Sequence, residues 1–320
     1  MSAHTHLFGR LHEHIQAAER ILLVAHKKPD GDTIGSSSSV LNWLLREGKD
    51  VQVFCRDIPH PQFHYIDNIH RYTTNPRIFH ETFDLVIVFD SGDLRYCGVD
   101  EHIPNLPPGY TLVNVDHHHL TNNRFGHLNI VIGEASSTAE IVYQLYEACG
   151  ISIDAKMATS LLTGIFTDTS SFSNAATSTK AMEAASALLS SGARYDEILK
   201  YILRNKTVAS LKSWGLMLSR LNYNTTYDVA STYLTLADQA DDGTDGDGPI
   251  NFLSAIVSDA DTVMVLRETH NGLVKGSFRS VNRNVSAVAK LLGGGGHKKA
   301  AGFAVKGRIQ ETPDGPRIVN

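Results

Sequence analysis

The sequence predicts an α/β protein of two domains: an N-terminal parallel β-sheet flanked by helices, and a smaller C-terminal α/β domain. Three observations carry that reading. The chain has 320 residues, more than one core usually organises. Up to residue 168, short apolar runs alternate with helical patterns, as parallel strands joined by crossover helices do. Beyond residue 228 the texture changes to a series of strand patterns and one short helix, broken by an acidic, Gly-rich stretch.

Taken in order, residues 7–19 form an amphipathic helical pattern, and Ile21 to Ala25 is an apolar run of the kind that makes a buried strand. Pro29 and Gly31 break the chain over 26–32. A helix follows at 33–47, ended by Gly48, then a strand at 51–55. Strands recur at 85–89 and 111–115. Ser137 opens a helix and, with Glu140, matches a capping box. Helical patterns occupy 154–167, 179–191, 195–205 and 208–221. The later part predicts a strand at 229–236, an exposed loop at 238–249, strands at 263–267 and 273–280, a helix at 285–292, glycines from 293, and a strand at 302–306. The expected domains are 1–200 and 215–320, with a helical linker spanning about 195–215.

Composition narrows the function classes. Hydrophobic residues make up 42% and charged residues 20%, a globular balance. The net charge of -5 argues against a protein that grips long nucleic acid by charge alone. The aromatic share, 8%, offers no broad base-stacking surface. A small anionic substrate in one local site fits better. Three cysteines without a C-x-x-C pair are no disulfide framework. With no signal-peptide pattern and no apolar run near the ~20 residues of a membrane span, the expected compartment is the cytosol, with no membrane partner.

The chemistry gathers at strand ends. In open α/β sheets, ligands bind at the carboxyl edge of the parallel strands. There the first strand delivers His26, Asp30 and Asp32. The third delivers Asp90, and the fourth delivers Asp116, His117, His118 and His119. Asp168 closes a helical run. Singly, each is as easily a turn former or a helix cap. Together, carboxylates at one spot repel each other unless a cation intervenes. Carboxylates with imidazoles and no thiolates suit Mn2+ or Mg2+, with Zn2+, Co2+ and Fe2+ also compatible. Four aspartates and two histidines exceed one ion's needs. Two ions ~3.5–4 Å apart, sharing a carboxylate, use them naturally and serve phosphoryl transfer.

In the C-terminal part, Gly293 to Gly296 lets backbone N–H groups approach a phosphate, although glycine is also the usual helix C-cap. Arg279 offers a bidentate fork, and His297, Ser280 and Arg95 are further candidate substrate contacts.

These segments resemble DHH phosphoesterases. His26-Lys27-Lys28-Pro29-Asp30-Gly31-Asp32 is similar to the family's opening motif, and Phe89-Asp90-Ser91-Gly92-Asp93 to the second. Asp116-His117-His118 is similar to the motif that names the family, and Thr163 to Thr169 to the fourth. Ser277-Phe278-Arg279-Ser280 and Gly293 to Phe303 resemble the DHH-associated C-terminal domain. The resemblance implies that His26, Asp30 and Asp90 hold one metal. It implies that Asp32, Asp90, His117 and Asp168 hold the other, with Asp90 bridging. His118 is then left to contact the phosphate and help the leaving oxygen, with Asp116 orienting an imidazole. Gly294, Gly295, Gly296, His297 and Arg279 are expected to hold the rest of the substrate in a cleft between the domains. His119 inherits no role and reads as a loop residue. The segment at 172–177 departs from the arginine- or tyrosine-containing version of some relatives, which leaves substrate preference open.

Within the family, the chain resembles the short oligoribonuclease type. The implied substrates are short RNA oligonucleotides, dinucleotides or 3'-phosphoadenosine 5'-phosphate, with Mn2+ as the first-choice metal and Mg2+ or Co2+ as substitutes. Two other readings stay open: a hydrolase of cyclic dinucleotides or other small phosphate esters, and a catalytically silent nucleotide-binding regulator. No residue specifies an oligomeric state, so a homodimer stays open too.

Overall fold

The computed structural model describes residues 4–174, 176–239, 248–296, 298–312 and 315–319. The chain falls into two compact units, residues 1–205 and 206–320.

The first unit is a parallel sheet with its helices. In chain order it contains α1 (Thr5–Ala17), β1 (Arg20–Ala25), α2 (Gly31–Arg46), β2 (Asp50–Cys55), β3 (Tyr72–Thr73), β4 (Leu85–Phe89) and the single-turn α3 (Leu94–Cys97). Then come β5 (Thr111–Asp116), β6 (Leu128–Val131), α4 (Thr138–Cys149), α5 (Ala155–Asp168), α6 (Thr179–Ser190) and α7 (Tyr195–Ile198). The strands lie in the order β3-β2-β1-β4-β5-β6, and every pair is parallel. Strand β1 is buried on both faces, which is why it reads as an unbroken apolar run. Ile21 and Leu23 point into the core shared with α1, α2, α4 and α5. Leu22 and Val24 point the other way, onto Phe54, Ile78, Phe79, Cys97 and Ile103. That second face is covered by short turns and α3.

Close approach of helices organises the first face. A Cβ on Gly35 would lie 2.4 Å from the Ser160 carbonyl oxygen and 2.8 Å from Gly164 N. A Cβ on Gly164 would lie 2.5 Å from Ala139 Cβ and 3.0 Å from Asp32 Oδ1. Two glycines therefore let α2, α4 and α5 meet at backbone distance, with Asp32 in the junction.

The second unit contains α8 (Val208–Ser219), β7 (Asn222–Asn224), β8 (Val229–Leu234), α9 (Gly248–Ile256), β9 (Thr262–Glu268), β10 (Leu273–Ser280) and α10 (Val285–Leu291). It continues with β11 (Gly295–Gly296), β12 (Ala300–Lys306), β13 (Arg308–Thr312) and β14 (Gly315–Val319). Its sheet runs β11-β12-β10-β9-β8-β7, with only β8 and β9 parallel. Strands β13 and β14 form a separate hairpin.

Several expectations shift. The predicted helix at 195–205 is α7 followed by a widened turn, in which Arg204 N–H reaches back to the Leu199 carbonyl (2.8 Å). The predicted loop at 238–249 lies partly outside the described residues, and its end already belongs to α9. Only half of the Ser137 capping box forms. Ser137 Oγ accepts from Glu140 N (3.0 Å), but the Glu140 carboxylate accepts from Ser136 N (2.8 Å) rather than from the cap residue. Strands β3, β6, β7, β11, β13 and β14 were not expected.

Gly35→Ala should force α2 away from α5. We expect a loss of about 1–3 kcal/mol, the usual range for overpacking, read from urea unfolding. Unchanged stability would show that the glycine contact does not set the helix spacing.

Candidate active site

Three strand ends and one helix end converge on Asp90. Within the described residues, three groups each place their ligand atoms within 4.8 Å of one another: His26, Asp30 and Asp90; Asp32, His117 and Asp168; and Asp90, His117 and His118. Asp90 is common to the first and third, and His117 joins the second and third.

Asp90 follows β4 with φ +55°, a left-handed conformation that costs a non-glycine residue energy and clusters at functional sites. Its two carboxylate oxygens face different partners. Oδ2 lies 3.4 Å from His26 Nε2, whereas Oδ1 lies 3.4 Å from His118 Nδ1 and 3.7 Å from His117 Nε2. A fourth contact comes from Thr138, whose hydroxyl donates to Oδ1 (3.2 Å).

His26 is 1% exposed. Its Nδ1 lies 2.8 Å from the Lys27 carbonyl, an acceptor only, so Nδ1 carries the hydrogen. In the neutral ring, Nε2 is then a lone pair facing Asp30 Oδ1 (3.5 Å) and Asp90 Oδ2. It has no hydrogen-bond partner, and neither has the buried Nε2 of His117, 3.2 Å from Asp168 Oδ2. Lone pairs aimed at carboxylates make sense around a cation. Asp30 serves two ends, because its Oδ1 also caps α2 by accepting from Asp32 N (3.0 Å) and Thr33 N (3.1 Å).

Asp32 and Asp168 are held differently. Asp32 is fully buried, and its oxygens accept from Thr138 N (2.7 Å) and Ala139 N (2.8 Å) at the start of α4. Helix N-termini favour such anions. Asp168 keeps 29% of its side chain exposed and stands at the opposite, negative end of α5. Burial, then repulsion from Asp90, pushes both carboxyls above the usual range. Asp90 is lowered, because the His118 and His26 imidazoles facing it outweigh its burial. Burial lowers His117 despite the nearby Asp90. Burial also acts to lower His118, but Asp116 and Asp90 outweigh it and raise it to about 11. The donor set fits two hard or borderline divalent cations: oxygen-rich, with two imidazole nitrogens and no thiolate.

Asp116 pairs with His118 (Oδ1 to Nδ1, 2.9 Å), so the imidazole it orients is His118. Its other oxygen accepts from Asn122 Nδ2 (2.7 Å), which also bonds Asn114 Oδ1 (2.7 Å). Asn122 and Thr138 escaped the sequence reading, since a lone Asn in a loop and a Thr beside a helix cap carry no spacing signal. His119 is exposed and packs against Gly133. Behind Asp168, residues 170 to 172 all have positive φ, between +50° and +63°, and Asn174 Nδ2 donates back to the Asp168 carbonyl (2.8 Å).

The remaining candidates are placed less centrally. Arg95 is 86% exposed and faces Asp100 (3.7 Å). Ser280 Oγ donates to Asp261 Oδ2 (2.6 Å) and accepts from Arg283 N (2.9 Å), which closes a turn. Arg279 Nε donates to Asn251 Oδ1 (3.1 Å) on α9. Gly293 N and Gly294 N donate to the Lys290 (3.1 Å) and Ala289 (2.8 Å) carbonyls at the end of α10, so these amides form a cap. A Cβ on Gly294 or Gly296 would strike β12, but one on Gly295 would meet nothing within 4 Å. Close packing therefore does not require glycine at 295. His297 lies outside the described residues.

Comparison with known proteins adds context. Residues 20–165 match the family described as DHH family, N-terminal domain, and residues 237–314 match the DHHA1 domain. The chain is 31% identical over 296 residues to the bifunctional oligoribonuclease and PAP phosphatase NrnA of Thermus thermophilus, covering 90% of this chain and 84% of that one. It is 25% identical over 297 residues to NrnA of Bacillus subtilis, covering 91% of each. An exopolyphosphatase-related protein from Bacteroides fragilis superposes with a TM-score of 0.83 at 25% identity, covering 93% of this chain and 90% of that one.

Metal should stabilise the first unit. With free Mn2+ at ~100 times its dissociation constant, we expect about 2.7 kcal/mol of added stability from one site. Asp90→Asn should remove most of it. Equal stabilisation of the wild type and the variant in thermal melts would rule out Asp90 as a ligand.

Proposed function

Given that the chain belongs to the DHH family, we propose that it is a metal-dependent phosphodiesterase that cleaves short oligoribonucleotides and dinucleotides to mononucleotides. 3'-Phosphoadenosine 5'-phosphate is its proposed second substrate. The observation that carries the reading is the convergence on Asp90 of two groups whose imidazole Nε2 atoms are buried and unpartnered. The likeness to bifunctional oligoribonuclease and PAP phosphatase proteins over about nine-tenths of the chain supports the substrate class.

In this reading, His26, Asp30 and Asp90 hold one divalent ion, and Asp32, Asp90, His117 and Asp168 hold the other. Mn2+ is the proposed metal, with Mg2+ or Co2+ as substitutes. When bound, the ions supply Lewis-acid stabilisation of phosphate charge and a more acidic water. His118 is the proposed proton donor to the departing oxygen. Its Nδ1 is engaged by Asp116, which turns Nε2 toward other partners and fixes the ring. Asp90, with oxygens directed to both groups, sets their spacing.

The second unit is the proposed substrate-binding domain. Arg279 would pair with a substrate phosphate, and His297 and Gly295 are further proposed contacts. The proposed compartment is the cytosol. Its support is three free cysteines, two of them buried, and no helix among the described residues long and apolar enough to cross a membrane.

The test is hydrolysis of a labelled RNA dinucleotide with Mn2+, beside 3'-phosphoadenosine 5'-phosphate and a cyclic dinucleotide. We expect mononucleotides from the linear dinucleotide, released only with metal. No product from it, with metal bound, would overturn the proposal. Preferential opening of the cyclic substrate would favour a cyclic-dinucleotide hydrolase. Arg279→Ala should raise KM for the dinucleotide roughly ten- to a hundredfold, as expected for one charged hydrogen bond of about 1.5–3 kcal/mol. An unchanged KM would remove Arg279 from the site.

A further inference from the structure

Helix α4 begins with two hydroxyl residues, and they do different things. Ser137 is the cap, with Oγ accepting from Glu140 N at 3.0 Å. That satisfies the helix end in the ordinary way. Thr138, the next residue, is therefore not needed as a cap. It is fully buried, and its hydroxyl leaves the helix to donate to Asp90 Oδ1 at 3.2 Å. Its own backbone N–H, meanwhile, donates to Asp32 Oδ2 at 2.7 Å. One residue thus holds an aspartate from each of two neighbouring groups.

Geometry separates the two tasks. The bond to Asp32 is made by the main chain, so any residue at 138 that keeps the helix keeps that bond. The bond to Asp90 is made by the side chain alone. Asp90 is also the residue with the most to gain from an outside constraint. It stands in a left-handed backbone conformation, and its two oxygens must face different imidazoles at once. A carboxylate free to rotate about its Cβ–Cγ bond would exchange those directions.

We propose that Thr138 is a positioning residue: its hydroxyl fixes the rotation of the Asp90 carboxylate, so that Oδ2 serves the His26 group and Oδ1 the His117 group. The inference rests on the metal-site reading given above. The hydroxyl is fully buried against Asp90, so its effect passes through that residue. Loss of such a supporting contact commonly costs roughly ten- to a hundredfold in metal affinity or turnover.

The test uses the full chain and two variants. Thr138→Val keeps the shape and removes the hydroxyl, whereas Thr138→Ser keeps the hydroxyl and removes the methyl. Three readouts separate positioning from mere structure: Mn2+ affinity by calorimetry, the electron paramagnetic resonance spectrum of the Mn2+-loaded protein, and the melting temperature of the metal-free protein. We expect Thr138→Val to melt like the wild type without metal, and to bind its weaker Mn2+ ion roughly ten- to a hundredfold less tightly. It should also replace the spectrum of a magnetically coupled pair with that of isolated ions. Turnover should fall with KM unchanged, and Thr138→Ser should restore affinity, spectrum and turnover. Wild-type Mn2+ affinity and coupling in Thr138→Val would overturn the proposal, as would a lowered metal-free melting temperature or a Thr138→Ser variant as impaired as Thr138→Val. Metal binding and spectrum are read without substrate. Failure of the phosphodiesterase reading would therefore show as wild-type inactivity with an intact coupled spectrum, distinct from failure of the Thr138 role.

Discussion

The backbone-distance contact among α2, α4 and α5 is the constraint on which the site depends. Gly35 and Gly164 add no side chain of their own at the helix contacts, so Asp32 on α2 reaches the first amides of α4. Asp168, on the last turn of α5, arrives beside His117 by the same docking. The parallel sheet supplies the other half. Its strands end side by side, so β1, β4 and β5 deliver His26, Asp90 and Asp116 to one edge without any long-range design of loops.

Charge then explains why the arrangement is functional rather than merely packed. Several carboxylates share a small, mostly buried space, and the imidazoles near them are too few to balance them. The protein's own devices are local: amides of α4 for Asp32, histidine contacts for Asp90, Asn122 for Asp116. Asp168, at the negative end of its helix, faces His117 (3.2 Å). A cluster so unevenly compensated is poised to take cations.

Much of this was legible in the sequence, for identifiable reasons. Strands buried on both faces leave unbroken apolar runs, so β1, β4 and β5 and the residues just after them could be placed. Asp90, Asp116 and His117 were therefore visible as a group before any coordinates. The rest depended on contacts that leave no periodic trace. Thr138 is seen only through its approach to Asp90, and Asn122 only through its approach to Asp116. Edge strand β6 is four residues of alternating burial, too short to stand out. Helix α9 begins with Gly248 and Pro249, which read as breakers although proline is well tolerated in a first helical turn. Sequence proximity to a motif also does not say which way a side chain turns: Arg95 and Ser280 both turn to aspartates near them.

The left-handed turn behind Asp168 has a consequence for how the protein can vary. Three successive non-glycine residues, Ser170, Ser171 and Phe172, adopt backbone angles that L-amino acids enter at a cost of roughly 1–2 kcal/mol each. β-Branched residues suit that region worst, whereas glycine and asparagine enter it most readily. Drift at these positions is thus filtered by backbone conformation before any question of substrate contact arises. A stretch that looks like a freely diverging loop is instead a narrow gate in sequence space, and it stands next to a residue of the central cluster.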